Sequence, residues 1–122
     1  MPYSTAGKNL MLDALRGTNP TVAIAFASLH TSSPGDDGAN EVTGGSPAYV
    51  RKAITMAAPS AGAIAASTQP VFDVPASTTV THVGFWSAVS GGTFLGSADV
   101  TDETFASQGT YTLTSAVLDL NL

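Results

Sequence analysis

Turn-forming residues interrupt this chain too often for long helices. Clusters of Gly, Pro, Asn and Ser stand at Asn19-Pro20, Ser32-Ser33-Pro34-Gly35, Gly44-Gly45-Ser46-Pro47, Ser90-Gly91-Gly92 and Gln108-Gly109. Between them the apolar residues recur with a period of two, the spacing of a half-buried strand. In Thr21–Leu29, Val22, Ile24 and Phe26 alternate with Ala23, Ala25 and Ala27. In Ala48–Met56, Val50, Ile54 and Met56 oppose Tyr49, Arg51 and Thr55, and Lys52 breaks the apolar face, which suits a sheet edge or rim. Thr78–Ala88 is richest in β-branched and aromatic residues, with Val80, His82, Gly84 and Trp86 on one face and Val83 and Phe85 on the other.

The remaining segments complete the pattern. Ala57–Ala66 reads as a turn and a short strand, and Pro70–Val74, fenced by prolines, as an edge strand. Thr93–Val100 returns from a hairpin at Ser90-Gly91-Gly92, Asp102–Phe105 is short, and Thr110–Leu122 closes the chain with a bulge near Ser115-Ala116. About seven or eight short strands of this kind predict a mainly β fold, an antiparallel β-sandwich or jelly-roll-like domain. At 122 residues, one domain over 1–122 is expected. The exception to β is residues 1–17. There Ser4 or Thr5 can N-cap a short helix, Leu10, Met11, Ala14 and Leu15 share a face, and Gly17 is a natural stop.

Charged residues make up only 11% of the chain, against about 25% in ordinary soluble domains. The 43% apolar content with so little charge is the opposite of a disordered composition. All the basic residues (Lys8, Arg16, Arg51, Lys52) precede residue 53, and downstream only Asp73, Asp99, Asp102, Glu103 and Asp119 carry charge. A net charge of −5 argues against nucleic acid as a partner, and an anionic membrane would repel the second half. The longest apolar runs, Val22–Ala27 and Ala63–Ala66, fall far short of the roughly 20 residues that span a bilayer. The N-terminus lacks the basic start and apolar run of a secretory signal, so synthesis in a cytoplasm is expected.

The residues that carry chemistry are few. No Cys is present, and the two histidines, His30 and His82, adjoin no nucleophile motif; neither Gly-x-Ser-x-Gly nor a phosphate-binding glycine loop occurs. No catalytic, metal or cofactor residue is therefore assigned. Asp36 and Asp37 lie side by side in a turn, where Asp serves local backbone bonding, and Asp36, Gly38 and Asn40 lack the carboxylates of a calcium loop.

The candidates for binding cluster around the long loop from His30 to Pro47, too long and too rich in Gly and Pro for a mere connector. His30 stands at its start. Glu41 and Arg51 have two readings: a surface ion pair worth at most about 1 kcal/mol, or a clasp that pins the loop to the following strand. Tyr49 and Trp86 complete the set; Trp86 is expected in the core, with an interface role as the alternative.

Several of these residues, in order, match a known pattern: Leu29-His30-Thr31, Ser33-Pro34, Gly38, Asn40-Glu41-Val42, Gly44-Gly45, Tyr49, Arg51-Lys52, Val80-Thr81-His82-Val83-Gly84-Phe85-Trp86 and Gly91-Gly92. The pattern resembles a family of small virion proteins of tailed bacteriophages, labelled variously as head decoration, minor tail or tail fibre proteins. The resemblance implies a non-enzymatic virion protein whose partners are other virion proteins, a major capsid protein or tail proteins. Capsid decoration is the leading expectation, and a minor tail or fibre-associated role the alternative. A low-charge surface rich in small residues suits contact with neighbouring copies, so a homo-oligomer is expected. A carbohydrate-binding β-sandwich ranks third, with Trp86, Tyr3, Tyr49 and Tyr111 as the only aromatic candidates beyond Phe.

Overall fold

The computed structural model describes residues 3–120. One helix, α1 (Thr5–Leu15), precedes eight strands: β1 (Phe26–His30), β2 (Lys52–Ala53), β3 (Ala63–Ala65), β4 (Val71–Val74), β5 (Thr78–Trp86), β6 (Phe94–Phe105), β7 (Gly109–Thr112) and β8 (Val117–Asp119). Every pairing is antiparallel. The strands form a four-stranded sheet in the order β2-β1-β5-β6 and two short ladders, β3-β8 and β4-β7.

The apolar core lies between the four-stranded sheet and the ladders. Ala27 and Leu29 of β1 and Val83 and Phe85 of β5 meet Phe72 and Val74 of β4, Tyr111 of β7 and Leu118 of β8 in one buried cluster. The fold is thus the expected mainly β sandwich. The other face of the large sheet, carrying Ser28, His30, Gly84 and Trp86, is buried as well, because the loop after β1 folds over it.

Strand limits differ from those the alternation predicts wherever a partner strand runs out. Thr21–Ala25 lies outside β1 because β5, its neighbour, ends at Trp86; only Ala25 N–H still reaches the Trp86 carbonyl, at 2.9 Å. Of Ala48–Met56 only Lys52–Ala53 forms a strand; the expected inward face holds at its end, where Ile54 is buried and Thr55 exposed, and reverses at its start, where Tyr49 is buried and Val50 half exposed. Thr93–Val100 and Asp102–Phe105 are a single strand, β6, with the register slipping where Val80 faces Glu103 and His82 faces Asp99. The last segment is two strands. The expected bulge at Ser115-Ala116 is instead the passage from the β4 ladder to the β3 ladder, and its residues 121–122 lie outside the described residues.

The helix is capped as its sequence foretells. Ser4 Oγ accepts the Gly7 N–H at 3.0 Å, and its hydroxyl donates to the Phe94 carbonyl at 2.6 Å. At the other end Gly17 N–H bonds the Ala14 carbonyl and Thr18 N–H the Asp13 carbonyl, the double closure that a left-handed Gly17 permits. The expected packing face is used only in part, Leu10 and Met11 lining an apolar cavity with Gly7, Ile24 and Leu95. Leu10 and Met11 are only half buried, Ala14 and Leu15 are exposed, and the one buried residue of α1 is Gly7. A glycine stands there because the Leu95 carbonyl of β6 occupies the space a Cβ would need. Gly7→Ala should therefore destabilise the protein by about 1–3 kcal/mol, against the roughly 1 kcal/mol that alanine contributes in a free helix. Urea unfolding of the variant checks this; a rise in midpoint would show that the helix does not depend on the close contact.

Candidate interaction site

The long loop divides into two parts. Residues 31–40 leave β1 and return to it, since Thr31 N–H bonds the Asn40 carbonyl at 3.1 Å and Val42 N–H the Leu29 carbonyl at 2.9 Å. Inside this closed excursion Gly38 and Ala39 N–H both reach the Pro34 carbonyl, and Asn40 Nδ2 donates to the Ser33 carbonyl at 3.0 Å. Gly38, with φ of 81°, lies so close to the Trp86 ring that no Cβ could be fitted there. The remainder, residues 41–49, turns at Gly44-Gly45 and is tied to the β6–β7 connection by Gln108, which accepts from Ser46 N–H and donates to the Pro47 carbonyl, both at 3.2 Å.

Under the loop runs one continuous polar network. Arg51 Nε and Nη2 donate to Glu41 Oε2 and Oε1, each at 3.0 Å, a two-pronged pair. Its Nη1 donates to the carbonyls of Ala88 and Gly91, at 3.1 and 2.8 Å, and the guanidinium carbon lies 3.6 Å from the centroid of the Trp86 ring. Tyr49 Oη donates to Glu41 Oε2 and accepts the Leu29 N–H, both at 2.9 Å. Burial, with the Glu41 carboxylate beside it, pushes the Tyr49 phenol well above its usual pKa, so it remains a donor.

From Trp86 the network continues inward. Trp86 Nε1 donates to Ser28 Oγ at 2.8 Å, and Ser28 Oγ lies 2.6 Å from His30 Nε2. His30 Nδ1 is 2.7 Å from the Ala39 carbonyl, which can only accept, so the imidazole proton sits on Nδ1 and the Ser28 hydroxyl donates to Nε2. Gly84 supplies the room, since a Cβ there would press on Ser28 Oγ and His30 Nε2. This Ser-His contact has the outline of a nucleophile and its base. It is fully buried, its oxygen is engaged by Trp86, and a backbone carbonyl occupies the place of the orienting acid. No substrate carbonyl can approach it.

Five of the residues singled out in the sequence (His30, Glu41, Tyr49, Arg51 and Trp86) therefore meet in one network. Asn40 braces the loop. Asp36 lies elsewhere: its Oδ1 accepts from Thr5 N–H at 2.7 Å and Thr5 Oγ1 at 3.0 Å, tying the loop to the start of α1. Asp37 is exposed and joins neither group. The Glu41–Arg51 pair is not a solvated one, its side chains being 21% and 10% exposed. Sequence reasoning passed over Ser28, Gly38, Gly84 and Gln108; a glycine in the middle of the strongest strand was the one available signal, since such a glycine marks a close approach. Around the network's outer edge lies a shallow cleft of about 390 Å³, with Glu41 and Arg51 in its wall and the half-exposed Val50 and Val89 on its rim.

Compared with models of known families, residues 2–121 match the one described as Podophage GP4 fiber I protein gp80. The chain belongs to this family of phage fibre proteins. No curated protein matches it. Membership makes it a phage virion structural protein, in line with the resemblance seen in its motifs. Among the described residues no helix is long and apolar enough to cross a membrane.

Two expectations follow from the network. Arg51→Ala leaves the Glu41 carboxylate under the loop without its cation and Trp86 without its cover, and should cost about 3 kcal/mol, near the lower end for breaking a buried pair. A loss under 1 kcal/mol by urea unfolding would mean that water replaces the guanidinium freely. The second concerns pH. Burial holds the His30 pKa below 6.5, so the unfolded chain takes up a proton that the folded one refuses. Stability is then full above about pH 6.5 and falls as pH drops from there toward the lowered native value. NMR titration of the His30 ring should give a midpoint under 6.5; a midpoint above it would overturn the assigned burial.

Proposed function

We infer that this protein is a non-enzymatic structural part of the phage tail fibre apparatus, binding other virion proteins through the surface formed by the 31–49 loop and the adjoining 87–92 turn. The observation that carries the reading is the family match over residues 2–121, whose description is of a fibre protein. That description favours the fibre-associated alternative over capsid decoration, for which no feature of the structure speaks. The site adds its own support. A loop clamped at Glu41, Asn40, Asp36 and Gln108 presents a fixed outline, and a surface ordered before binding loses little entropy when a partner docks. Along the cleft, Val50 and Val89 are apolar contacts flanked by Thr43 and Ser90, the mixture of apolar centre and polar rim common to protein interfaces.

The carbohydrate reading lacks its platform. Tyr49, Trp86 and Tyr111 are buried, and Tyr3 is half buried with its hydroxyl donating to the Leu118 carbonyl at 3.1 Å. None of the four offers a free ring face of the kind sugars stack on.

The experiment is to introduce Val50→Asp and Val89→Asp into the phage and count copies on purified virions, with the position on the particle read by cryo-EM. Because both side chains are half exposed, the thermal midpoint should stay within a few degrees of the parent's, corresponding to less than about 0.5 kcal/mol. Copy number should fall severalfold, and the parent protein should be found on the tail. Density on the capsid shell would transfer the protein to decoration, and unchanged occupancy would remove the cleft from the interface.

A further inference from the structure

α1 is a helix without enough to hold it. Eleven residues do not make a stable helix alone in water, and this one buries a single glycine. Its outer face carries Lys8, Leu12 and Leu15, three to four residues apart and hence one above the other, with Leu12 60% and Leu15 84% exposed. Exposed leucines side by side on so short a helix mark a contact surface more than an ordinary solvated face. Lys8 has no ion pair among the described residues, and Arg16 at the end of this face is engaged only with Asp13, at 2.8 Å.

A complementary surface lies further along β6. Between Asp99 and Glu103 the β5–β6 register slips, and a cleft of about 310 Å³ lies beside this stretch. Its lining is more polar than apolar: Thr101, Thr114 and Ser115 stand beside Val100, while Tyr111 and Leu113 are almost wholly buried, and Asp99 borders it with a side chain 83% exposed. Asp102 and Glu103 extend the same negative edge, both exposed. Downstream of residue 53 no Lys or Arg offsets them, although His82 Nε2 lies 4.0 Å from Asp99 Oδ1.

The two surfaces cannot meet within one molecule. α1 is bolted to the start of β6, where Gly7 packs on Leu95, while the cleft begins four residues later, roughly 13 Å along the strand and on a different part of the sandwich. We propose that they meet between molecules: the Lys8–Leu12–Leu15 face of α1 docks on the Asp99–Val100–Tyr111 cleft of a second copy. Charge selects the pairing of unlike faces over a pairing of like ones. Two clefts facing each other would bring Asp99, Asp102 and Glu103 against themselves, and two α1 faces would bring Lys8 and Arg16 together. Only the unlike pairing joins cation to anion. Made reciprocally the contact closes a two-fold dimer; made head to tail it repeats into a ring or a filament.

Sedimentation velocity of the full chain tests the proposal. The parent should associate with rising concentration, and raising salt from about 50 to 500 mM, which shortens the Debye length several-fold, should weaken association severalfold. Lys8→Glu and Asp99→Lys should each weaken it about tenfold or more with no change in thermal midpoint, since both side chains act from the surface. An equimolar mixture of these two variants offers each changed face a partner of opposite charge on the unlike molecule, and should associate where neither variant does alone. The double variant carrying both changes should regain association. A parent that stays monomeric at high concentration overturns the proposal. So does association that Leu15→Asp abolishes and Asp99→Lys leaves intact, because that result assigns the contact to a two-fold pairing of helices.

Discussion

The guanidinium of Arg51 holds the upper face of the large sheet together. It is gripped on one edge by the Glu41 carboxylate, donates on the other to the carbonyls of the 87–92 turn, and rests its plane on Trp86. Each contact is made possible by another. Desolvation under the loop strengthens both the ion pair and the cation–aromatic contact, the latter worth about 2 kcal/mol when water is excluded. Trp86, held flat by Arg51, can then direct its indole N–H at Ser28, and Ser28 can direct its proton at His30. The chain of donors ends on the Ala39 carbonyl, in the loop that shuts water out. Take away the cation and the loop loses the reason to lie where it does.

The sandwich consequently has two interiors of different chemistry. Below the sheet the core is hydrocarbon, Leu29, Phe72, Val83, Phe85 and Leu118 among others, and its stability follows from area removed from water. Above the sheet the interior is polar, and there stability depends on satisfaction. Among the described residues no buried side-chain nitrogen or oxygen lacks a partner. Buried polar networks of this completeness fix one arrangement, because any shift strands a donor or a charge in a place water cannot reach. For the loop-mediated binding proposed above, a loop locked in one conformation is the useful outcome.

The N-terminal helix stands apart from both interiors. It is joined to the sandwich by polar contacts at its start, through Ser4 and through Asp36, and by the close approach of Gly7 to Leu95. This arrangement fixes the helix's direction while leaving its leucines outward. The consequence is a molecule with exposed leucines and cations at one end of β6 and an acidic edge further along it, a polarity suited to contacts between unlike faces.

Much of this was written in the order of residues. Period-two alternation broken by Gly and Pro dictates short strands, and the Ser4 and Gly17 caps dictate where one helix begins and ends, because these preferences act within a few residues of chain. The identity of the candidate site was legible too: Glu41, Tyr49, Arg51 and Trp86 are the residues a loop clamp would need. Tertiary structure decided what lies next to them. Whether Val50 or Tyr49 points inward depends on Glu41 returning to β1, a contact made across the fold. Whether the Glu41–Arg51 pair is solvated or enclosed depends on Trp86, thirty-five residues beyond Arg51. Strand ends fell where partners ended, and Gly84 became necessary only once Ser28 and His30 had filled its space. Local preference is set by neighbours in sequence; burial and pairing are set by neighbours in space, and these no period or motif spells out.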